Sequence, residues 1–319
     1  MYDRPGHKTP DTANFIKITA GLGSIDDYPD FVRAGVDEVF IGYVPESWHL
    51  KYPLTGPMNR REVKNYNVQI GSLSEIRILR KMMEAYQVPV TIALNALSYM
   101  PEQYEDLAQY VKMCVSEGFT SFIVADPALL VYLKNQELSE KIKIHISGEL
   151  GEINEEVISL VKELGADRII FHRKVDLEGM KECIKSCPSL EYEAFMLNEM
   201  CHFHGGFCNS LHCDEMCHMC LVPYTMEQDV EKREYKDFDG VGASGCSLCA
   251  LWDMMQMGVT HLKLVSRGNY GEDTIRDIIA LKKAIGIARE TSSREKYIQK
   301  MKRRLFQEGC SDNCYYRLI

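Results

Sequence analysis

Short apolar runs alternate with amphipathic segments along most of this 319-residue chain. Eight of these runs are rich in β-branched residues and predict strands, at 15–20, 38–42, 89–94, 121–125, 142–147, 168–172, 191–196 and 261–265. Apolar residues at helical spacing fill most of the intervals. Most of these segments end at a glycine, as helices commonly do. The chain therefore consists of repeated strand–helix units.

This alternation predicts a parallel sheet with helices outside it. Eight units in a chain of this length favour a TIM-type (β/α)8 barrel. An open doubly wound sheet is the alternative, but no Gly-x-Gly-x-x-Gly follows the first strand. We predict an irregular arm at 1–14 and a barrel at 15–290, with a cysteine-rich insertion at 197–249 after the seventh strand. A helix and a cysteine-containing tail follow at 291–319.

One connection, at 48–67, is unusually long and rich in charged and turn-forming residues. It is predicted to be a loop between the second strand and the next helix. Long loops inside compact domains are often functional.

Composition narrows the class of protein. An apolar fraction of 45% and a charged fraction of 26% are ordinary for a soluble globular protein. A net charge of −9 argues against nucleic-acid binding through charge alone, although a local basic groove stays open. No segment approaches the roughly 20 apolar residues of a membrane span, and the first residues do not resemble a secretory signal. We therefore expect a cytoplasmic protein that does not enter a membrane.

Seven of the twelve cysteines lie between residues 201 and 249, in CHFHGGFCNSLHCDEMCHMC and GCSLC. Polar, turn-rich sequence cannot bury so many thiols, and cytosolic thiols stay reduced, so a metal site is predicted. The pairs Cys217/Cys220 and Cys246/Cys249 have zinc-site spacing, whereas a [4Fe–4S] cluster takes four cysteines at looser spacing. The spacing leaves both open. In the tail, Cys310 and Cys314 either reach back over the site or form a terminal pair.

In such a barrel, chemistry takes place at the C-terminal ends of the strands. Arg173 and Arg267 are predicted to bind a carboxylate or phosphate, because the guanidinium fork pairs with two oxygens. An ion pair between Arg173 and Glu193 inside the barrel is the structural alternative. The other candidates for substrate binding are Asn95, Asp126, Ser147 and Lys263. The candidates for proton transfer are His145, Glu149, His172, Glu193 and His204.

Several stretches between Phe15 and Asn269 together resemble one known family. They are PVTIALN, FIVADPALL, IHISGE, IIFHRKVDLEGM, YEAFMLNEMCHFHGGFC, CHMCLVPY and LKLVSRG. In this order they resemble motifs of the collagenase-like U-32 peptidases. The chain departs from the family pattern at Gly148-Glu149, Lys174 and Val265-Ser266, so we interpret it as a divergent member.

The resemblance implies more than a peptidase. Better-understood relatives carry a [4Fe–4S] cluster and take part in oxygen-independent hydroxylation of ubiquinone precursors or RNA, with prephenate implicated as the oxygen source. It implies an enzyme that acts on a small acidic substrate or oxygen donor, and a possible protein partner of the same family. A peptidase with structural zinc and a non-catalytic, cluster-bearing partner subunit are the alternatives. By motif, five cysteines are candidates for the four cluster ligands: Cys208, Cys213, Cys217, Cys220 and Cys249.

Overall fold

The computed structural model describes residues 16–53, 57–61, 67–201 and 240–316. Several predictions therefore lie outside the described residues. They are the arm at 1–14, most of the cysteine-rich insertion, and the site candidates His204, Cys208, Cys213, Cys217 and Cys220.

Eight parallel strands close into a barrel in which each strand pairs with its neighbours in sequence and the eighth pairs with the first. This confirms the predicted (β/α)8 barrel. The strands are largely buried, as expected for apolar runs covered by helices outside and side chains inside. They are β1 Lys17–Gly21, β2 Glu38–Ile41, β3 Val90–Leu94, β4 Ser121–Val124, β5 Lys143–Ile146, β6 Ala166–Ile170, β7 Glu191–Leu197 and β8 His261–Leu264.

Helices fill the connections as predicted, with one addition. They are α1 Tyr28–Ala34, α2 Glu46–Lys51, α3 Leu73–Tyr86, α4 Gln103–Ser116, α5 Pro127–Asn135, α6 Glu155–Glu163, α7 Leu177–Ser186, α8 Leu251–Met257, α9 Gly271–Arg289 and α10 Arg294–Leu305. The addition is α2, which overlaps the start of the predicted 48–67 loop. At six residues it is too short to show helical periodicity, and the burial of Trp48 against the core stabilises it.

Side chains at the helix ends explain where the helices begin. Ser72 Oγ accepts a hydrogen bond from the Glu75 amide at 3.2 Å, and the Ser72 hydroxyl donates to the Glu75 carboxylate at 2.8 Å. This arrangement is close to a capping box, with Ser72 as the N-cap of α3 and Glu75 three residues further on. No helix in the described ranges is long and apolar enough to cross a membrane.

Two groups of side chains lie one above the other inside the barrel. The lower, ionic layer consists of Glu38, Arg168, Glu193 and His261; Arg168 on β6 binds Glu38 on β2, which only side chains inside the barrel can do. Side chains two residues further along a strand point the same way. Three of them, Phe40, Ile170 and Phe195, form with Ile123 an apolar layer nearer the C-terminal ends of the strands. The fourth is Lys263, whose ammonium group reaches the ionic layer at Glu193.

The C-terminal tail reaches back across the barrel, as the first of the two alternatives for Cys310 and Cys314 supposes. The Cys246 amide donates to the Asn313 carbonyl at 2.8 Å, and the Tyr315 amide donates to the Cys246 carbonyl at 2.9 Å. Tyr315 packs against the apolar layer and donates its hydroxyl to the Asn198 carbonyl. The tail therefore lies beside the mouth of the barrel.

Candidate active site

A cavity of about 90 Å³ opens above the apolar layer, at the C-terminal ends of the strands. Phe40 and Phe195 are among the residues at its floor. Among the described residues, two carboxylates face the cavity, Glu149 and Glu199. The described cationic residues of its lining are Arg60, Arg61, Arg173, Lys263 and Arg267. In the part of the chain that the structure describes, cations therefore outnumber carboxylates at this mouth.

A tight turn after β8 positions Arg267. Ser266 has a left-handed backbone (φ 44°), and its hydroxyl donates to the Gly21 carbonyl at 2.8 Å. The guanidinium lies against Gly42, where any side chain would clash with it, and 3.4 Å from Asn59 Oδ1. Burial, together with the like charge of Arg61, lowers the pKa of Arg267 to about 9. Glu199 offsets only part of this lowering, so Arg267 is buried with incomplete compensation of its charge.

Arg173 approaches the cavity from the loop after β6. Its guanidinium carbon lies 3.9 Å from the centre of the Phe195 ring, in a cation–π contact. Burial alone would lower the pKa of Arg173, but the surrounding acidic groups, led by Tyr315 and Glu199, raise it. Among the described residues, no carboxylate lies within ion-pair distance of Arg173 or Arg267, and Arg173 Nε has no hydrogen-bond partner.

The structure also brings Arg60 and Arg61 to this cavity, although no motif in the sequence singles out either residue. Arg60 Nε lies 3.2 Å from Glu149, and Arg61 Nη2 lies 2.6 Å from Glu199. Both arginines belong to the long charged connection predicted to be functional. That prediction was the available signal, because nothing in the local pattern shows which residues of a loop turn inward.

Asn95, Ser147 and Glu149 meet at one side of the cavity, as predicted for strand-end residues. The Asn95 amide nitrogen lies 3.4 Å from Ser147 Oγ, and the Glu149 amide donates to the same Oγ at 3.2 Å. Asn95 Oδ1 accepts from the backbone amide of Arg60 at 3.2 Å. These contacts hold Arg60 and Glu149 at the rim.

Glu193 lies below the cavity, in the ionic layer. Its carboxylate binds Lys263 Nζ at 2.7 Å and Arg168 Nη1 at 2.8 Å. Burial would raise the pKa of Glu193, but Lys263 and Arg168 hold it well below its usual range, so the carboxylate stays ionised. The alternative ion pair between Arg173 and Glu193 is therefore not formed. Its place is taken by Lys263, which both binds Glu193 and lines the cavity.

The two histidine candidates that the structure describes, His145 and His172, also lie away from the cavity. His145 is buried beside the ionic layer, where burial and then the charge of Arg168 lower its pKa well below the usual value. It is therefore neutral near pH 7. His172 Nδ1 accepts from the Lys174 amide at 3.0 Å, and its Nε2 lies 3.4 Å from Glu152. Neither imidazole lines the cavity.

Asp126 has a structural position. Its side chain accepts from the Ala128 amide at 2.8 Å and so caps α5. It also accepts from the Tyr99 amide at 3.1 Å and from the Tyr104 hydroxyl at 2.9 Å. It does not line the cavity.

Cys201 and Cys249 are described cysteines of the segment between β7 and α8. Cys201 lines the cavity, and Cys249 is partly buried at the start of the segment leading into α8. As the side chains stand, no three Cys, His, Asp or Glu residues in the described ranges are placed to hold a metal ion. Thiols are nevertheless the donors that both zinc and iron–sulfur clusters take, so the chemistry of the donors fits either.

Comparison with known families completes this description. The family model for peptidase family U32 matches residues 23–317. The chain belongs to peptidase family U32. The family resemblance inferred from the sequence motifs is therefore confirmed.

The curated relatives carry a name unrelated to proteolysis. The chain is 25% identical over 174 residues to tRNA hydroxylation protein P of Escherichia coli strain K12, covering 54% of this chain and 34% of that protein. It is 26% identical over 192 residues to the protein of the same name from Haemophilus influenzae, covering 60% and 38%. This U32 chain thus spans little more than a third of the length of these relatives.

A solved structure agrees in fold. The U32 peptidase Mk0906 superposes with a TM-score of 0.50 at 12% identity, covering 83% of this chain and 95% of the other. The two proteins therefore have similar folds.

Proposed function

We propose that this U32-family chain takes part in the hydroxylation of RNA and binds a small acidic substrate or oxygen donor at the barrel mouth. The names of the curated relatives support the reaction class. The mouth, with its excess of cations, supports the acidic ligand. The proposal also includes RNA as the substrate, a protein partner of the same family and a location in the cytoplasm.

The observation that carries the acidic ligand is the pair Arg173 and Arg267. Arg60, Arg61 and Lys263 each have a carboxylate partner, whereas these two have none among the described residues. A desolvated charge without a partner is costly, and a carboxylate placed between two guanidiniums offsets that cost. Bidentate pairing to arginine would also fix the orientation of the ligand.

The aromatic floor of the cavity sets a second requirement for the ligand. Phe40 and Phe195 present ring surface below the cations, with Arg173 and Lys263 each 3.9 Å from a ring centre. A ligand that combines carboxylates with a compact apolar body satisfies both surfaces. Glu193 is held in two ion pairs, and His145 is buried and neutral. Among the described candidates for proton transfer, Glu149 is the one that lines the cavity.

We further propose that the cysteine segment holds a [4Fe–4S] cluster and that the hydroxylation proceeds without dioxygen. A cluster would supply one-electron chemistry beside the mouth. Arg173 and Arg267 would bind the acidic group, and the apolar layer would exclude water from below. Cys201, at the edge of the cavity, supports the placement of thiols near the bound ligand.

Binding of prephenate, measured by calorimetry on protein purified without oxygen, tests the acidic site. Arg267→Ala should weaken binding by about 10- to 100-fold, because hydrogen bonds to charged groups contribute about 1.5–3 kcal/mol. Arg267→Lys should restore only part of this, since it keeps the charge and loses the fork. Arg33→Ala, at an exposed i,i+3 pair with Asp30, is the matched control. Unchanged affinity in Arg267→Ala would refute the acidic site.

The reaction class needs a separate test. Transfer RNA from a strain without this gene should lack a hydroxylated nucleoside that the wild-type gene restores and Arg267→Ala does not. Mass spectrometry of the nucleosides makes the measurement. An identical nucleoside profile in the presence and absence of the gene would remove transfer RNA as the substrate.

A further inference from the structure

Asn59 and Gln69 form a buried pair of side-chain amides beside Arg267. The Asn59 amide group donates to Gln69 Oε1 at 3.1 Å, and the Gln69 amide group donates to Asn59 Oδ1 at 3.0 Å. The two residues are 1% and 6% exposed. Gln69 also donates to the Arg61 carbonyl. The pair therefore fixes the part of the chain that brings Arg60 and Arg61 to the cavity.

One atom of this pair, Asn59 Oδ1, faces more hydrogen-bond donors than it can accept from. It accepts from Gln69 and, at 3.1 Å, from the Arg61 backbone amide. Both terminal nitrogens of Arg267 lie 3.4 Å from the same oxygen. An amide oxygen has two lone pairs, and the two shorter bonds occupy them. The Arg267 guanidinium therefore keeps hydrogen-bonding capacity for another acceptor.

The local backbone at Asn59 would accept an aspartate equally well. A side-chain oxygen that accepts from the backbone amide two residues further on forms an Asx turn, which Asn and Asp both make. A group of N–H donors that includes a guanidinium binds a carboxylate more strongly than a neutral amide. Aspartate at this position would pair with Arg267 inside the protein. The chain has its neutral isostere instead.

The other loop arginines of the mouth differ from Arg267 in this respect. Arg60 lies 3.2 Å from Glu149 and Arg61 lies 2.6 Å from Glu199, so each has a carboxylate of the protein as its partner. Arg267 has the amide of Asn59 in the place of such a carboxylate.

We infer that Asn59 determines the charge preference of the barrel mouth: its carboxamide positions the Arg267 guanidinium without neutralising it, so that the carboxylate or phosphate of a ligand supplies the missing charge. The role of Asn59 rests on the acidic ligand of the proposed function and names the residue that selects for it. A single change of amide to carboxylate should then close the site to anions while preserving the fold around it.

Prephenate binding to Asn59→Asp and Asn59→Ala, measured by calorimetry on the full-length protein purified without oxygen, tests this role. Asn59→Asp should weaken binding by more than about tenfold, because the new carboxylate pairs with Arg267 and repels the acidic ligand. Asn59→Ala should weaken binding less, since Arg267 keeps its charge. A purely structural role predicts the opposite order, because alanine loses every hydrogen bond of Asn59, whereas aspartate keeps those at Oδ1.

Asn154→Asp is the matched control for the change in charge. Asn154 is the exposed N-cap of α6, where its Oδ1 accepts from the Val157 amide at 3.0 Å. Aspartate serves equally well at an N-cap. This variant should therefore bind prephenate as wild type does.

Thermal denaturation without ligand provides a second readout. Asn59→Asp should lower Tm by several degrees more in the Arg267→Ala background than in wild type, because only there does its buried carboxylate lack a cation. Binding by Asn59→Asp as tight as that by Asn59→Ala, or an equal change of Tm in both backgrounds, would overturn the role of Asn59. If wild type fails to bind prephenate while the difference in Tm is present, the proposed ligand is wrong, and the control of the Arg267 charge by Asn59 is still supported.

Discussion

Replacing Arg168 by methionine tests how much the ionic layer contributes to stability. The guanidinium, 3% exposed, makes two bonds to Glu38 at 2.8 and 2.9 Å, one to Glu193 at 2.8 Å and one to the partly exposed Glu191 at 3.0 Å. Without it, Glu193 keeps Lys263, but Glu38 keeps, among the described residues, only the Thr91 hydroxyl at 3.2 Å. Breaking one side of a buried ion pair costs about 3–5 kcal/mol, because a charge is left buried without a partner. We expect Arg168→Met to lose about this much.

The difference in stability between wild type and Arg168→Met should also change with pH, in a direction that the structure predicts. In wild type the pKa of Glu193 is depressed, so its contribution is present above the unfolded pKa of about 4.3 and is lost as pH falls. In Arg168→Met the carboxylate of Glu38 would be left buried without its cation. Protonation then relieves its cost, and the stability gap between variant and wild type should narrow as pH falls from 7 towards 5.

Thermal and urea denaturation, followed by circular dichroism at pH 7 and pH 5, measure this gap. The double variant Arg168→Met/Glu38→Gln should recover part of the loss, because it removes the stranded charge. Arg77→Met, which breaks an exposed pair with Glu117, should be indistinguishable from wild type. A loss below about 1 kcal/mol in Arg168→Met, or no recovery in the double variant, would refute the reasoning.

Two other predictions concern the mouth and its support. Gly42→Ala should displace the buried Gln69 side chain and the Arg267 guanidinium, which both lie where the new Cβ would be, and so weaken prephenate binding. Gly286→Ala, whose Cβ meets open space, should bind as wild type does in the same calorimetry. Asp277 is buried, its pKa is raised to about 7, and it accepts a hydrogen bond from Asn198. The folded state therefore favours its protonated form, and wild type should lose stability relative to Asp277→Asn as pH rises from about 4 to 7, with denaturation curves across that range as the check. A constant difference between the two proteins would contradict the shift.

The barrel could be predicted because its signals are local. Apolar runs, glycines at helix ends and the Ser72–Glu75 cap are each recognisable within a few residues of sequence. All eight strands lie where the pattern predicts them. The six-residue α2 was missed because one and a half turns show no period. Its stability comes from the burial of Trp48, which is a tertiary contact.

The site was predicted less completely, for a geometric reason. Strand alternation shows that Glu193 and Phe195 point inward, but the layer that each occupies depends on the stagger of neighbouring strands. Glu193 therefore appeared to be a mouth residue and lies one layer below it. Arg60 and Arg61 come from a loop whose path is fixed by contacts with Asn95 and Glu199, far away in sequence.

The apolar layer lies between two groups of charges, which Lys263 connects and which should tolerate substitution differently. Below it, Glu38, Arg168 and Glu193 depend on one another, so a single exchange is penalised until a second compensates for it. Above it, Arg173 and Lys263 contact aromatic rings, and these contacts do not depend on which anion is bound. The ligand of such a barrel can drift, by exchange of loop arginines or of the residues that position them, without disturbing the charges that stabilise the fold.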